Sequence, residues 1–175
     1  IRNRAEDLLL KKQRRYQQTL LQVSRGMTLI KDLNKLLRLI VHVVSRTVKI
    51  KKVSLFLLDK ETNKYVPKAV RYKNELPGDS YFGEEDAVVK YLVTHKCPLI
   101  CDEVKLRLEQ NEKDELNDLK YIESKMEQIN ANIIIPSFVQ ELLLGFLVLG
   151  DKADGQAYTQ DDVDVFNVLA NQSAL

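Results

Sequence analysis

The feature that most constrains this chain is an apolar stretch near its C-terminus, within residues 130–175. It begins with Ile133-Ile134-Ile135-Pro136 and continues, after a short gap, with Leu142-Leu143-Leu144-Gly145-Phe146-Leu147-Val148-Leu149-Gly150. Short apolar runs bounded by polar residues are typical of buried strands. The polar pair Gln140-Glu141 lies where a hairpin turn is needed. The sequence therefore predicts two long paired strands, at about residues 131–139 and 141–151, as the centre of the fold.

Three further strands are predicted upstream of this hairpin. Residues 53–59 and 64–72 are rich in strand-forming side chains, and the polar turn Lys60-Glu61-Thr62-Asn63 separates them, which indicates a second hairpin. A short strand is predicted at residues 98–101. Proline within a strand favours a sheet edge or a bulge, and we expect one of these at Pro136.

Apolar residues at helical spacing predict helices between and around the strands. Asp32 is expected to cap a helix over about residues 33–48, and Glu84-Glu85-Asp86 opens a helix because acidic groups near a helix N-terminus favour its dipole. One or two amphipathic helices fit residues 105–127, and Thr159 is expected to cap the last helix. This order predicts an α+β fold in which helices flank a central antiparallel β-sheet.

The first 30 residues lack proline and contain glycine only at Gly26, which permits a long helix. Apolar residues recur there every three and four positions, as in a coiled-coil seam. The predicted dimer seam consists of Leu9, Tyr16, Leu20, Val23, Met27 and Ile30. Basic side chains crowd the other faces, which favours a parallel dimer over a helix packed on its own domain. We therefore divide the chain into a coiled-coil helix at residues 1–30 and a folded domain at residues 31–175.

Charge is distributed unevenly along the chain. Residues 1–52 carry a net charge of +11 and the remaining residues a net charge of −9. A basic leading segment is compatible with nucleic acid, with an anionic membrane surface or with a solvated helix face. Aromatic side chains that stack on bases are missing from it beyond Tyr16, so nucleic acid is not the expected partner.

Four motifs in the second half of the chain carry a family resemblance: Ile134-Ile135-Pro136, LGFLVLGDK at residues 144–152, GQAYTQDD at residues 155–162 and LANQSAL at residues 169–175. They are similar to the terminal pattern of GAF domains of bacterial signalling proteins, and the likeness covers nearly all of residues 31–175. The resemblance implies a GAF-like fold in a signal-transduction protein with a histidine kinase, phosphatase or cyclase output. GAF domains bind cyclic nucleotides, haem, bilins or other small molecules, or serve only as dimerisation modules.

No catalytic or metal-binding motif emerges from the reactive side chains. The two histidines, His42 and His95, are interpreted as structural, and Cys97 and Cys101 lack the second ligand pair of a zinc site. Asn63-Lys64 and Phe82 with Asp86 partly match a cyclic-nucleotide signature of the family, but Ala87 replaces its closing glutamate. The sequence thus predicts no enzyme, requires no cofactor and leaves the ligand unknown.

If a ligand binds, we expect it between one face of the sheet and the helices that cover that face. The candidate pocket residues are Phe56, Tyr81, Phe82, Val89, Leu92, Cys101, Ile122, Met126, Ile133, Ile135 and Phe146. Almost all are apolar, so an aromatic or hydrophobic ligand, or none, would suit the site.

The family resemblance and the predicted flanking helices together imply a non-catalytic sensor or relay domain, which we expect in the cytoplasm. We expect a homodimer formed through the N- and C-terminal helices, an unknown small-molecule ligand or none, and an adjacent membrane span in a longer protein. The alternatives are a ligand-free dimerisation module and a nucleic-acid-binding regulator that uses the basic N-terminal segment.

Overall fold

The computed structural model describes Lys11, Arg14, residues 49–71, 80–110 and 115–164, and Phe166. The predicted coiled-coil seam, the helix predicted over residues 33–48 and the end of the last helix lie outside these residues. The described strands are β1 (Val53–Asp59), β2 (Lys64–Arg71), β3 (Phe82–Gly83), β4 (Leu99–Ile100), β5 (Ile133–Val139) and β6 (Leu142–Leu149). Three helices lie wholly within the described residues: α1 (Ala87–His95), α2 (Cys101–Glu109) and α3 (Leu116–Gln128).

The six strands form one sheet in the order β3-β2-β1-β6-β5-β4, and neighbouring strands are antiparallel. The two hairpins therefore meet at the centre, where β1 pairs with β6 from Val53 opposite Leu149 to Leu57 opposite Gly145. Strand β4 pairs only with Ile133 and Ile134 of β5, so Pro136 lies beyond the paired end. The α+β fold with a central antiparallel sheet and flanking helices is confirmed.

The structure corrects the predicted element list in two places. Residues 82–83 form strand β3, which pairs with Lys64 and Tyr65 and which the sequence prediction omitted. The charged region after β4 contains two helices, and the first begins at Cys101, four residues earlier than predicted. Two residues are too few to show a periodic pattern, and the apolar positions of α2 are sparse, which explains both differences.

Successive residues of a strand point to opposite faces of the sheet, and each face carries its own buried cluster. The first core lies under α1, α2 and α3; it includes Phe56, Tyr65, Phe82, Val88, Val89, Leu92, Cys101, Val104, Leu119, Ile122, Met126, Ile134, Leu143, Phe146 and Val148. The second core lies on the other face; it comprises Ile50, Val53, Leu55, Ile133, Ile135, Leu147, Leu149, Val163 and Phe166. The last helix begins at residue 160 and contributes Val163 and Phe166 to this second core.

Gly145 is required where β6 approaches β1. A Cβ atom at this position would lie 2.2 Å from the backbone oxygen of Phe56 and 2.8 Å from Cδ2 of Leu57. Neither the backbone nor the packed leucine can yield that much space without disturbing the central strand pair. The close backbone approach that a strand glycine suggests is therefore present.

We predict that Gly145→Ala lowers the free energy of unfolding by about 1–3 kcal/mol, because the added methyl group overpacks the β1–β6 contact. Urea denaturation measures the change. Gly83→Ala is the matched control, since a Cβ atom there would meet nothing within 4 Å. Equal unfolding midpoints for the two variants would contradict the close approach.

Candidate functional site

The structure brings most of the candidate pocket residues together beneath the three helices. Eight of them belong to the first core: Phe56, Phe82, Val89, Leu92, Cys101, Ile122, Met126 and Phe146. The strands β1, β3 and β6 supply the three phenylalanines, and α1, α2 and α3 supply the other five. All eight are buried, so in this structure they pack against one another.

The other three candidate residues lie elsewhere. Ile133 and Ile135 belong to the second core on the opposite face of the sheet, and Ile134 faces the first core in their place. The physical reason is the alternation of side chains along β5, whose apolar run is buried on both faces. Tyr81 is 45% exposed, and the Lys64 ammonium lies 4.3 Å from the centre of its ring. The sequence interpretation therefore needs correction at these three positions.

Four aromatic rings fill the middle of the first core, and we call Phe56, Tyr65, Phe82 and Phe146 the aromatic cluster. Phe56 stacks on Phe146 with ring centres 5.2 Å apart and planes 14° apart. Phe82 meets both rings edge-on, at 5.2 Å and 5.1 Å. Such edge-to-face and stacked contacts add to the stability that burial alone provides. Sequence reasoning omitted Tyr65, although Lys64 and Lys68 mark the opposite face of β2 as the exposed one.

Tyr65 supplies a polar contact inside this cluster. Its ring centre lies 5.5 Å from that of Phe146, and its hydroxyl donates a 2.8 Å hydrogen bond to the backbone oxygen of Leu143. Burial, and secondarily the Glu84 carboxylate, raises the pKa of Tyr65 above its ordinary value. The hydroxyl therefore stays protonated at neutral pH and remains a donor.

Asp86, which caps α1, links α1 to α3 above the cluster. One carboxylate oxygen accepts a 2.9 Å hydrogen bond from the backbone N–H of Val88, and the other accepts a 2.7 Å bond from the Tyr121 hydroxyl of α3. The bond to Asp86, followed by burial, raises the pKa of Tyr121 to about 12. The Lys125 ammonium, also on α3, lies 5.0 Å from the centre of the Phe82 ring and covers the cluster from outside.

A separate cleft of about 140 Å³ lies on the outer side, between α1 and α3. Ala87, Lys90, Tyr91, Thr94, His95, Glu115, Asp118, Leu119 and Ile122 line it. Two charged residues of its rim form ion pairs: Lys90 with Glu85 at 2.7 Å, and Glu115 with Arg107 at 2.8 Å. Sequence reasoning missed this cleft, although the spacing of its residues by three and four on each helix is a detectable signal.

The reactive side chains of His95, Cys97 and Cys101 lie within the described residues. Nδ1 of His95 lies 3.1 Å from the backbone oxygen of Tyr91, and the two rings stack 4.0 Å apart. Cys97 and Cys101 are free thiols, and burial raises the pKa of both. A protonated thiol is a poor nucleophile and a poor metal ligand. His42 lies outside the described residues.

Two features are absent from the described part of the chain. Among these residues, no group of three or more His, Cys, Asp or Glu side chains is placed to hold a metal ion. Within the same ranges, no helix is both long and apolar enough to cross a membrane.

We predict that Tyr65→Phe lowers the free energy of unfolding by about 1 kcal/mol, because the backbone oxygen of Leu143 loses a buried donor. Tyr81→Phe is the control; its ring is exposed, and the same change should stay within about 0.5 kcal/mol of the parent. Chemical denaturation of both variants checks this, and equal losses would contradict the role of the buried hydroxyl.

Comparisons with known proteins agree with this geometry. The GAF domain family model matches residues 32–175. The GAF domain of an Acinetobacter phosphoenolpyruvate-protein phosphotransferase is 16% identical, covers 91% of this chain and 90% of its own, and has a TM-score of 0.60. A phycocyanobilin-bound GAF domain from a cyanobacterial phytochrome is 12% identical over 91% of each chain, with a TM-score of 0.61.

A third similar structure is the GAF domain of a two-component sensor histidine kinase from Bacillus halodurans. It is 14% identical, covers 83% of this chain and 92% of its own, and has a TM-score of 0.57. A search among curated proteins gave no significant match. At these identities the structural likeness establishes the fold, and the family model covers most of the sequence. The chain is therefore a member of the GAF domain family.

Proposed function

We propose that this GAF domain is a sensor or relay module of a bacterial signal-transduction protein, in which a small molecule or an upstream signal acts through dimeric helices on an output domain. GAF domains of signalling proteins are regulatory sensor domains, and some of them bind ligands. Histidine kinase, phosphatase and cyclase outputs all remain compatible with the proposal, and so does a cytoplasmic location.

The observation that carries the proposal is the separation of the two cores by the sheet. The first core lies under three helices, and this is where we place any ligand. The second core contains Ile50, at the start of the described domain, and Phe166 of the last helix, which we call the outgoing helix. A change in the packing of the first core would reach the outgoing helix through the paired strands β1 and β6.

The aromatic cluster favours a second candidate function, a ligand-free dimerisation module. Phe56, Phe82 and Phe146 are completely buried and in mutual contact. A ligand in the first core would have to displace at least one of these rings, and it would lose the ring contacts as it did so. A relay that responds only to an upstream signal needs no such displacement.

Thermal unfolding with cyclic GMP, haemin and biliverdin as separate probes tests whether the first core binds a small molecule, which is what separates a ligand sensor from a ligand-free module. A ligand at about 100 times its Kd should raise the unfolding midpoint by about 5–10 °C for a chain of this size. Val89→Phe adds bulk to the first core, where a ligand would need room, and should abolish the rise. The control Val93→Phe changes a side chain of the same helix that is 42% exposed, and it should keep the rise. No shift with any probe would favour the ligand-free module.

Dimer formation through the predicted coiled-coil seam, which lies outside the described residues, is a separate prediction. Sedimentation equilibrium should give a dimer for the parent chain and a monomer for Leu20→Glu, because a charge in an apolar seam is strongly destabilising. Gln18→Glu places the same charge off the seam, and this variant should remain dimeric. A parent chain that stays monomeric at high concentration would contradict the dimer.

A further inference from the structure

Backbone hydrogen bonds extend the central strand pair beyond β1 and β6. Ile50 forms an isolated bridge with Lys152. Lys51 N–H donates to the Asp151 oxygen at 2.9 Å, and Ala153 N–H donates to the Lys49 oxygen at 2.7 Å. We call residues 49–52 and 150–153 the terminal ladder. The ladder joins the segment that enters the domain to the segment that leads to the last helix.

The Lys152 side chain connects this ladder to the start of the last helix. Its ammonium lies 2.5 Å from Oδ2 of Asp162, and the two side chains are only 12% and 19% exposed. By contrast, the Lys90–Glu85 pair on α1 is 61% and 88% exposed. A shielded pair with direct hydrogen bonding is weakened less by solvent than a surface pair is. The Lys152–Asp162 contact can therefore fix geometry as well as balance charge.

Asp162 has a second role at the same place, because it forms a capping box with Thr159. Thr159 N–H donates to Oδ2 of Asp162 at 3.0 Å, and Asp162 N–H donates to the Thr159 hydroxyl at 3.1 Å. Burial raises the pKa of the Asp162 carboxyl, but hydrogen bonds from Lys152 and Thr159 outweigh it, so the net shift is downward. The group is therefore a carboxylate at neutral pH and binds both partners at once.

Tyr158 adds a third connection between the ladder and the helix. Its hydroxyl donates a 2.5 Å hydrogen bond to the backbone oxygen of Gly150, and its ring centre lies 5.4 Å from the Lys152 ammonium. The ring also meets Phe166 edge-on at 6.1 Å. Phe166 is buried in the second core together with Ile50. The terminal ladder, which includes the incoming segment at residues 49–52, and the outgoing helix are thus connected to each other.

We infer that Lys152 is a positioning residue that couples the incoming segment at residues 49–52 to the outgoing helix, by holding the ladder against Asp162. This inference rests on the proposed relay function, since it names the joint at which movement of one segment is imposed on the other. A capping interaction alone would stabilise the helix start and leave the ladder unaffected.

Residue-resolved amide hydrogen exchange on the whole 175-residue chain tests this coupling. Lys152→Met removes the charge and keeps most of the length of the side chain, and Asp162→Asn removes the charge and keeps an acceptor for the Thr159 N–H. Each variant should speed exchange at the amides of Lys51, Ala153 and Val163 by about tenfold or more, as expected for the loss of a charged hydrogen bond. The double variant should add little to either single one, because both remove one interaction.

Thr159→Ala is the matched control, because it removes a cap bond without touching Lys152. It should speed exchange at Val163 and leave Lys51 and Ala153 at their original rates. If Lys152→Met also spared those two ladder amides, or if it sped exchange equally at Ile122 of α3, the inferred coupling would be overturned. The measurement needs neither a ligand nor a dimer, so its failure is distinguishable from failure of the proposed function.

Discussion

The antiparallel pairing of β1 with β6 is the interaction on which the rest of the structure depends. Phe56 lies opposite Phe146, and Leu55 lies opposite Leu147. Because neighbouring residues point to opposite faces, the first pair enters the first core and the second pair enters the second core. The two strands approach so closely at Gly145 that a side chain there would collide with the backbone of Phe56. One strand pair thus sets the position of both cores.

The two faces of the sheet differ in what covers them. The helices of the first face are held together by side-chain contacts such as the bond from Tyr121 to Asp86, and they enclose rings that already fill the space. On the second face, the outgoing helix is attached to the strand ends by Lys152 and Tyr158. In the proposed relay, a rearrangement on the first face changes the outgoing helix only through the strands between them. Any such conformational change must therefore pass through the sheet.

Much of this arrangement is predictable from the sequence, and the exceptions have physical causes. The runs around Ile133 and Phe146 predict their strands because both are apolar, long and bounded by polar residues. The same uniformity hides which face each residue occupies, so the sequence pattern alone does not separate Ile133 and Ile135 from Ile134, which lies on the opposite face. Lys152 and Asp162 are ten positions apart in a polar segment, and no periodicity joins them.

Methyl-resolved nuclear Overhauser spectroscopy tests the separation of the two cores most directly, because three successive isoleucines report on both faces. We expect the Ile134 methyl groups to show contacts with side chains of the first core, such as Phe146 or Leu92. The methyl groups of Ile133 and Ile135 should instead show contacts with second-core side chains, such as Phe166 or Val163. Contacts from Ile134 and Ile135 to the same helix would contradict a sheet that divides the domain into two cores.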